Sequence, residues 1–215
     1  MTRIGLTQRV SVVEDYGERR DCLDQEWTTL LQSFGFTLIP LPNTVADPQS
    51  YLDALKLDGV ILTSGNDLSS LDNPDVPAPE RDKFEEAVLD YAIDEELPVL
   101  GVCRGLELIN TYFGGALTTV EGHVAQDHQI RFEDVDEGLQ LPSEATVNSY
   151  HGYGIDSKDV GDGLVTVGKV PDTTVEFVTH ASHPIWGMMW HPERESPSEN
   201  VDRQIINHIF ENNNQ

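Results

Sequence analysis

The sequence predicts an α/β domain with a mostly parallel central sheet, helices on both faces and extra strands toward the C-terminus. Three observations predict it. Over residues 1–115 apolar runs alternate with amphipathic stretches, strand then helix four times over, as right-handed βαβ crossovers require. After Gly115 the texture changes to strand-like runs separated by turn residues. The 215 residues suit a single domain, 1–215, with a sizeable core and with no internal repeat or linker.

Thr2–Arg9 reads as the first strand, with Ile4 and Leu6 apolar, and Val10–Tyr16 as a loop. From Gly17 to Gly35 the residues Leu23, Trp27, Leu30, Leu31 and Phe34 fall at helical spacing, with Cys22 a small core or boundary residue among them and Gly35 as the stop. Phe36–Leu41 is a second strand. Asp47–Leu55 is a short helix, with Asp47 as N-cap and Pro48 at the first position. Asp58–Leu62 is a third strand, ending in the polar turn Thr63-Ser-Gly-Asn-Asp67. Ser69–Pro79 is a loop and Glu80–Glu95 a helix. The run Leu97-Pro98-Val99-Leu100 begins a fourth strand, which turns at Gly101-Val-Cys-Arg-Gly105 into a helix with Leu106, Ile109 and Phe113 on one face. Strands follow at Val124–Phe132, Ala145–Tyr150, Leu164–Val170, Val175–His180 and Ile185–Trp190. Asn200–Asn212 closes the chain as a helix, and the final Asn-Asn-Asn-Gln is expected to fray.

The net charge is −25, from 38 acidic and 13 basic residues. So few basic residues argue against nucleic acid and against an anionic membrane surface as partners. No signal peptide and no membrane-spanning run is apparent, so a cytoplasmic protein is expected. Two cysteines make no disulfide framework. An acidic, lysine-poor surface fits a high-salt host, where self-repulsion is screened. The fold should then lose stability as salt is removed; equal melting temperatures in low and high salt would refute this.

The chemistry concentrates at Cys103. A buried strand turning sharply into a helix, with a cysteine at the corner and glycines two residues to either side, is a nucleophile elbow. The helix N-terminus favours a thiolate there. A buried structural cysteine in an ordinary strand–helix turn is the plainer alternative. Trp190-His-Pro-Glu193 supplies a base and a carboxylate to orient it: His191 emerges at a strand end and Glu193 lies two residues on. The developing oxyanion needs donors, for which the N–H of Arg104 and that of Gly65 are nominated.

With these motifs in hand, GVCRG, HPE and TSGND, the chain resembles a class I glutamine amidotransferase-type domain over essentially its whole length. The resemblance implies the flavodoxin-like fold of that class and a Cys103–His191–Glu193 triad. Cys-Arg-Gly and the lack of a synthase domain are similar to the γ-glutamyl hydrolase (peptidase C26-like) branch. LTQRV, YGERRDCLDQEW and NSYHGYGI look closest to hydrolases acting on γ-glutamyl-CDP-amidate in surface-polysaccharide pathways. The implied reaction is cleavage of a small-molecule γ-glutamyl amide through a glutamyl thioester on Cys103. Two positions depart from the family pattern: Glu107 stands where amidotransferases carry glutamine, and Ser64-Gly65 replaces Gly-Gly. A carboxylate at Glu107 can hold an α-ammonium. The resemblance also nominates Ser149, Tyr150 and His151 as glutamyl contacts.

Arg9, Arg19 and Arg20 are candidates for a phosphate or other anion near the nucleophile, against surface pairing with Glu18, Asp21 and Asp24. His123 with His128, and His180 with His183, are joined in the sequence by no further ligands, so neither a metal nor a cofactor is expected. Three functions remain open: a stand-alone hydrolase, favoured; a glutaminase subunit feeding a partner synthase; and a non-catalytic binding domain on the same fold.

Overall fold

The computed structural model describes residues 1–133 and 138–211. Its first elements are β1 (Arg3–Thr7), β2 (Arg9–Val13), β3 (Glu18–Cys22), α1 (Glu26–Ser33), β4 (Thr37–Leu41), α2 (Pro48–Leu55) and β5 (Gly59–Leu62). Then come α3 (Pro79–Glu95), β6 (Val99–Val102), α4 (Arg104–Tyr112), β7 (Thr118–Thr119), β8 (His128–Phe132) and β9 (Glu144–Val147). The last are β10 (Tyr153–Gly154), β11 (Leu164–Lys169), β12 (Val175–His180), β13 (Ile185–Met188) and α5 (Glu199–Phe210).

The main sheet has nine strands in the order β4-β1-β5-β6-β13-β12-β11-β8-β9. The first five are mutually parallel and the rest antiparallel. This is the predicted α/β architecture, with its added strands along one edge. Strand side chains alternate between faces. Ile61 and Leu100 pack with Trp27 and Leu31 of α1 and with Ile205 and Ile209 of α5. Val60, Leu62 and Val99 pack with Leu52 of α2, Phe84 and Val88 of α3, and Ile109 of α4. Both faces are therefore covered, and each large aliphatic side chain so buried contributes roughly 1.5–3 kcal/mol. Tyr112 and Phe113 border the second of these cores, as expected of helix-face residues.

Local chemistry fixed several boundaries. Asp47 caps α2 by accepting the Ser50 N–H at 3.1 Å, with Pro48 opening the helix. The expectation fails over residues 10–25. Neither a loop nor a helix starting at Gly17 forms there; β2 and β3 pair as an antiparallel hairpin turned at Gly17, whose φ is +70°. Distant residues hold it. The Asn66 side chain bonds both the N–H and the carbonyl of Val10, and Asp21 accepts from the backbone and side chain of Asn43. Cys22 thus lies half-buried in a strand, and helix α1 keeps only the segment from Glu26. Asn212 and the tail after it lie outside the described residues. Among the described residues no helix is long and apolar enough to cross a membrane.

Candidate active site

β6 and β13 run parallel side by side, with Val102 opposite Met188. Beyond the carboxyl ends of parallel strands is where such sheets present their functional groups. Cys103 leaves β6 there, its N–H donating to the Met188 carbonyl at 2.8 Å. Its φ of 53° and ψ of −107° lie outside the allowed minima for L-residues, the strained elbow the sequence predicts. The flanking glycines are steric necessities. A Cβ at Gly105 would stand 2.1 Å from the Leu62 carbonyl oxygen, and one at Gly101 2.6 Å from that of Gly105.

His191 follows β13 and is buried. Its Nδ1 lies 2.8 Å from Glu193 Oε1. An ionised carboxylate only accepts, so the proton sits on Nδ1 and Nε2 keeps a lone pair. That Nε2 is buried without a hydrogen-bond partner. Asn148, absent from the sequence-based site, grips the same loop. It accepts the His191 N–H at 2.8 Å and donates to the carbonyls of His191 and Glu195 at 2.9 and 3.1 Å. The Tyr150 ring meets His191 edge-on, with centroids 5.5 Å apart, and carries the Arg194 guanidinium on its face at 4.4 Å.

The thiol corrects one expectation. Burial, reinforced by the charge of Glu107, pushes the Cys103 pKa well up, and the Arg104 N–H at the helix start opposes this only in part. Desolvation thus opposes the thiolate more than the helix N-terminus favours it.

Gly65 has φ +84°, with the Arg9 side chain laid over it: a Cβ there would be 3.1 Å from Arg9 Cδ. Behind this turn lies a buried ion network that the sequence did not suggest. Arg81 of α3 donates to the carbonyls of Thr63, Ser64 and Gly65. It also pairs with Glu85 at 2.8 Å, and Arg104 pairs with both Glu85 and Asp82. One clamp thus fixes the loop after β5 and the first residue of α4. With its carbonyls turned toward Arg81, the Gly65 N–H has no partner among the described residues.

Glu107 sits one helical turn beyond Cys103 and is 6% exposed. Burial raises its pKa to about 7, against the pull of Arg104 and His151. The folded chain therefore holds this proton more tightly than the unfolded chain, and the contribution of Glu107 to stability is lost as pH rises from about 4.5 through 7. Glu107→Gln should flatten that fall and exceed the wild type at pH 8 by on the order of 1–3 kcal/mol. Denaturation curves with the same pH dependence in both proteins would refute it.

The other nominated residues divide. Tyr150 borders His191. The Ser149 hydroxyl is turned away, donating to the His123 carbonyl. The His151 ring has Nδ1 2.6 Å from the Tyr153 carbonyl and Nε2 3.2 Å from His123 Nδ1, and it lies close enough to Glu107 to feel its charge. Arg9 and Arg19 line one groove of about 490 Å³ with Val10, Asn66 and Val76. Arg19 is paired with Glu80 at 2.7 Å, and Arg20 with Glu18, outside the groove. Arg9 alone of the three has no carboxylate partner among the described residues. His180 caps a turn, its Nδ1 accepting the N–H groups of Ser182 and His183 at 3.1 Å. The reason given for setting aside His123 and His128 fails: the fold brings His151 and Glu176 to them.

The peptidase C26 family model matches residues 4–193. The chain belongs to the peptidase C26 family. It is 34% identical over 208 residues to the γ-glutamyl-CDP-amidate hydrolase of Campylobacter jejuni, covering 96% of each chain. It is 30% identical over 221 residues to the γ-glutamyl-γ-aminobutyrate hydrolase of Escherichia coli O157:H7, covering 88% of this chain and 85% of that one. The fold matches a solved Thermoplasma acidophilum protein with a TM-score of 0.71 at 22% identity, covering 97% and 92% of the two chains. It also matches a glutamine amidotransferase from Thermotoga maritima, with a TM-score of 0.65 at 14% identity over 89% and 76%.

Proposed function

We propose that the chain is a stand-alone hydrolase of γ-glutamyl amides, working through a glutamyl thioester on Cys103. The observation that carries this reading is the strained elbow at Cys103 on the strand beside the one that delivers His191 and its carboxylate partner Glu193. Membership of the C26 family and relatives named as γ-glutamyl hydrolases support the substrate class.

In the proposed cycle His191 Nε2 takes the thiol proton as Sγ attacks the γ-carbonyl carbon. The negative charge then resides on the carbonyl oxygen, where the N–H groups of Arg104 and Gly65 stabilise it. Collapse expels the amine, which leaves with the proton from His191. Water, deprotonated by the same nitrogen, attacks the thioester and releases glutamate and the free thiol. Glu193 keeps the ring in the useful tautomer and compensates the imidazolium. Glu107 holds the substrate's α-ammonium.

The substrate favoured is γ-glutamyl-CDP-amidate, which places the enzyme in surface-polysaccharide biosynthesis. The 34% identical Campylobacter relative supports this, as does Arg9, beside Gly65 and available to a phosphate. The purified chain should release glutamate from γ-glutamyl-CDP-amidate faster than from γ-glutamyl-γ-aminobutyrate or glutamine. Release from none of the three would sink the hydrolase reading. Ammonia release from glutamine that requires an added synthase would favour the subunit reading instead.

A further inference from the structure

His123, His128, His151 and Glu176 converge from four separate segments, and one donor atom from each lies within 4.8 Å of all the others. His123 Nδ1 is 3.2 Å from His151 Nε2 and 3.7 Å from Glu176 Oε1. His128 Nε2 and His151 Nε2 are each 3.4 Å from the same oxygen. A four-coordinate ion with ligands at about 2.0–2.1 Å spans a tetrahedron whose edges are about 3.4 Å. Four of the six edges are thus within a few tenths of an ångström of that value.

Proton placement points the same way. The Tyr153 carbonyl can only accept, so His151 Nδ1 carries a proton and Nε2 is the nitrogen turned to the cluster. Asp172 Oδ2, 3.2 Å from His123 Nε2, likewise engages the outer nitrogen, and Nδ1 faces the cluster. Two ring nitrogens therefore face each other beside a carboxylate. Glu176 is fully buried, and neither of its oxygens has a hydrogen-bond partner; His128 Nε2 has none either. A buried carboxylate ringed by three imidazoles suits a cation at its centre. The outer hydrogen bonds are those that orient metal-bound imidazoles.

We propose that His123, His128, His151 and Glu176 form a tetrahedral zinc(II) site. Three imidazoles and one carboxylate, with no thiolate, suit zinc in this geometry. Four protein ligands close the coordination sphere, so the ion is structural and generates no hydroxide. It joins the turn before β8, the start of β8, the loop after β9 and strand β12. The loop after β9 begins with Asn148, which holds His191. The ion therefore braces the catalytic histidine through the backbone of residues 148–151. This inference stands apart from the proposed substrate.

The test uses the full chain, stripped with a chelator and dialysed against cobalt(II). Expected are about one equivalent retained and the intense visible bands of a tetrahedral N/O site, in wild type and in Cys103→Ala alike. Glu176→Gln and His128→Ala, confirmed folded by circular dichroism, should lose both. Substoichiometric uptake by the wild type, a weak octahedral spectrum, or full retention in both ligand variants would overturn the site; in the first case a proton held by an imidazole is the cation. Should the variants not fold, X-ray absorption of the zinc-loaded wild type decides: nitrogen and oxygen neighbours with imidazole scattering support the site, and a sulfur neighbour refutes it.

Discussion

Cys103→Ala is expected to lower kcat/KM on a γ-glutamyl amide by roughly 10⁴-fold or more, with the fold intact. Mass spectrometry of the wild type during turnover should trap a glutamyl group on Cys103, and the variant should show none. Cys103→Gly sharpens the test. The cysteine occupies a positive-φ conformation that costs about 1–3 kcal/mol for a residue with a Cβ. Glycine removes that cost, so the inactive Cys103→Gly protein should melt above Cys103→Ala. If Cys103→Ala turns substrate over at more than a few per cent of the wild-type rate, the thioester mechanism is wrong. If glycine gives no stabilisation over alanine, the elbow stores no strain.

The largest stability effect is expected at Arg81. Its guanidinium is fully buried, paired with Glu85 and forked onto three successive carbonyls. Arg81→Leu strands part of the Glu85 charge and three backbone acceptors, a change that costs about 3–5 kcal/mol for a broken buried pair. For a chain of this size the melting temperature should drop by roughly 10 °C. The same substitution frees the turn carrying the Gly65 N–H, so kcat should fall by about 10²-fold, the order for losing one oxyanion donor, with KM less affected. Arg81→Lys restores charge without the planar fork and should recover more stability than kcat. Parallel recovery of both by lysine would leave Arg81 a purely structural residue.

What was legible in the chain follows from how local the chemistry is. The elbow imposes its demands within five residues, since Gly101 and Gly105 must lack a Cβ and Cys103 must sit between them. His191 and Glu193 are two residues apart, and so announced themselves. The Arg81 network did not, because an arginine and a glutamate four apart on a charged helix look like a solvent face. The zinc ligands were hidden similarly: His123 and His151 are far apart in sequence, and Glu176 sits in a strand where alternation suggests an outward position. The β2–β3 hairpin was missed because its holding bonds come from Asn66 and Asn43. Ser149 and His151, nominated by resemblance, both bond to His123, and His151 also lies near enough to Glu107 to feel its charge.

The fifth of the nine strands in spatial order, β13, is also the last to be synthesised. It is inserted between β6 and β12, so the parallel and antiparallel parts meet only through it. Until residues 185–188 have arrived, neither part has its neighbour, and His191 cannot approach Cys103. The β13–β6 pairing joins residues more than eighty positions apart, the kind of long-range contact that slows folding. On the proposed mechanism, a nascent or truncated chain would carry the cysteine without its base, keeping it idle until β13 is in place.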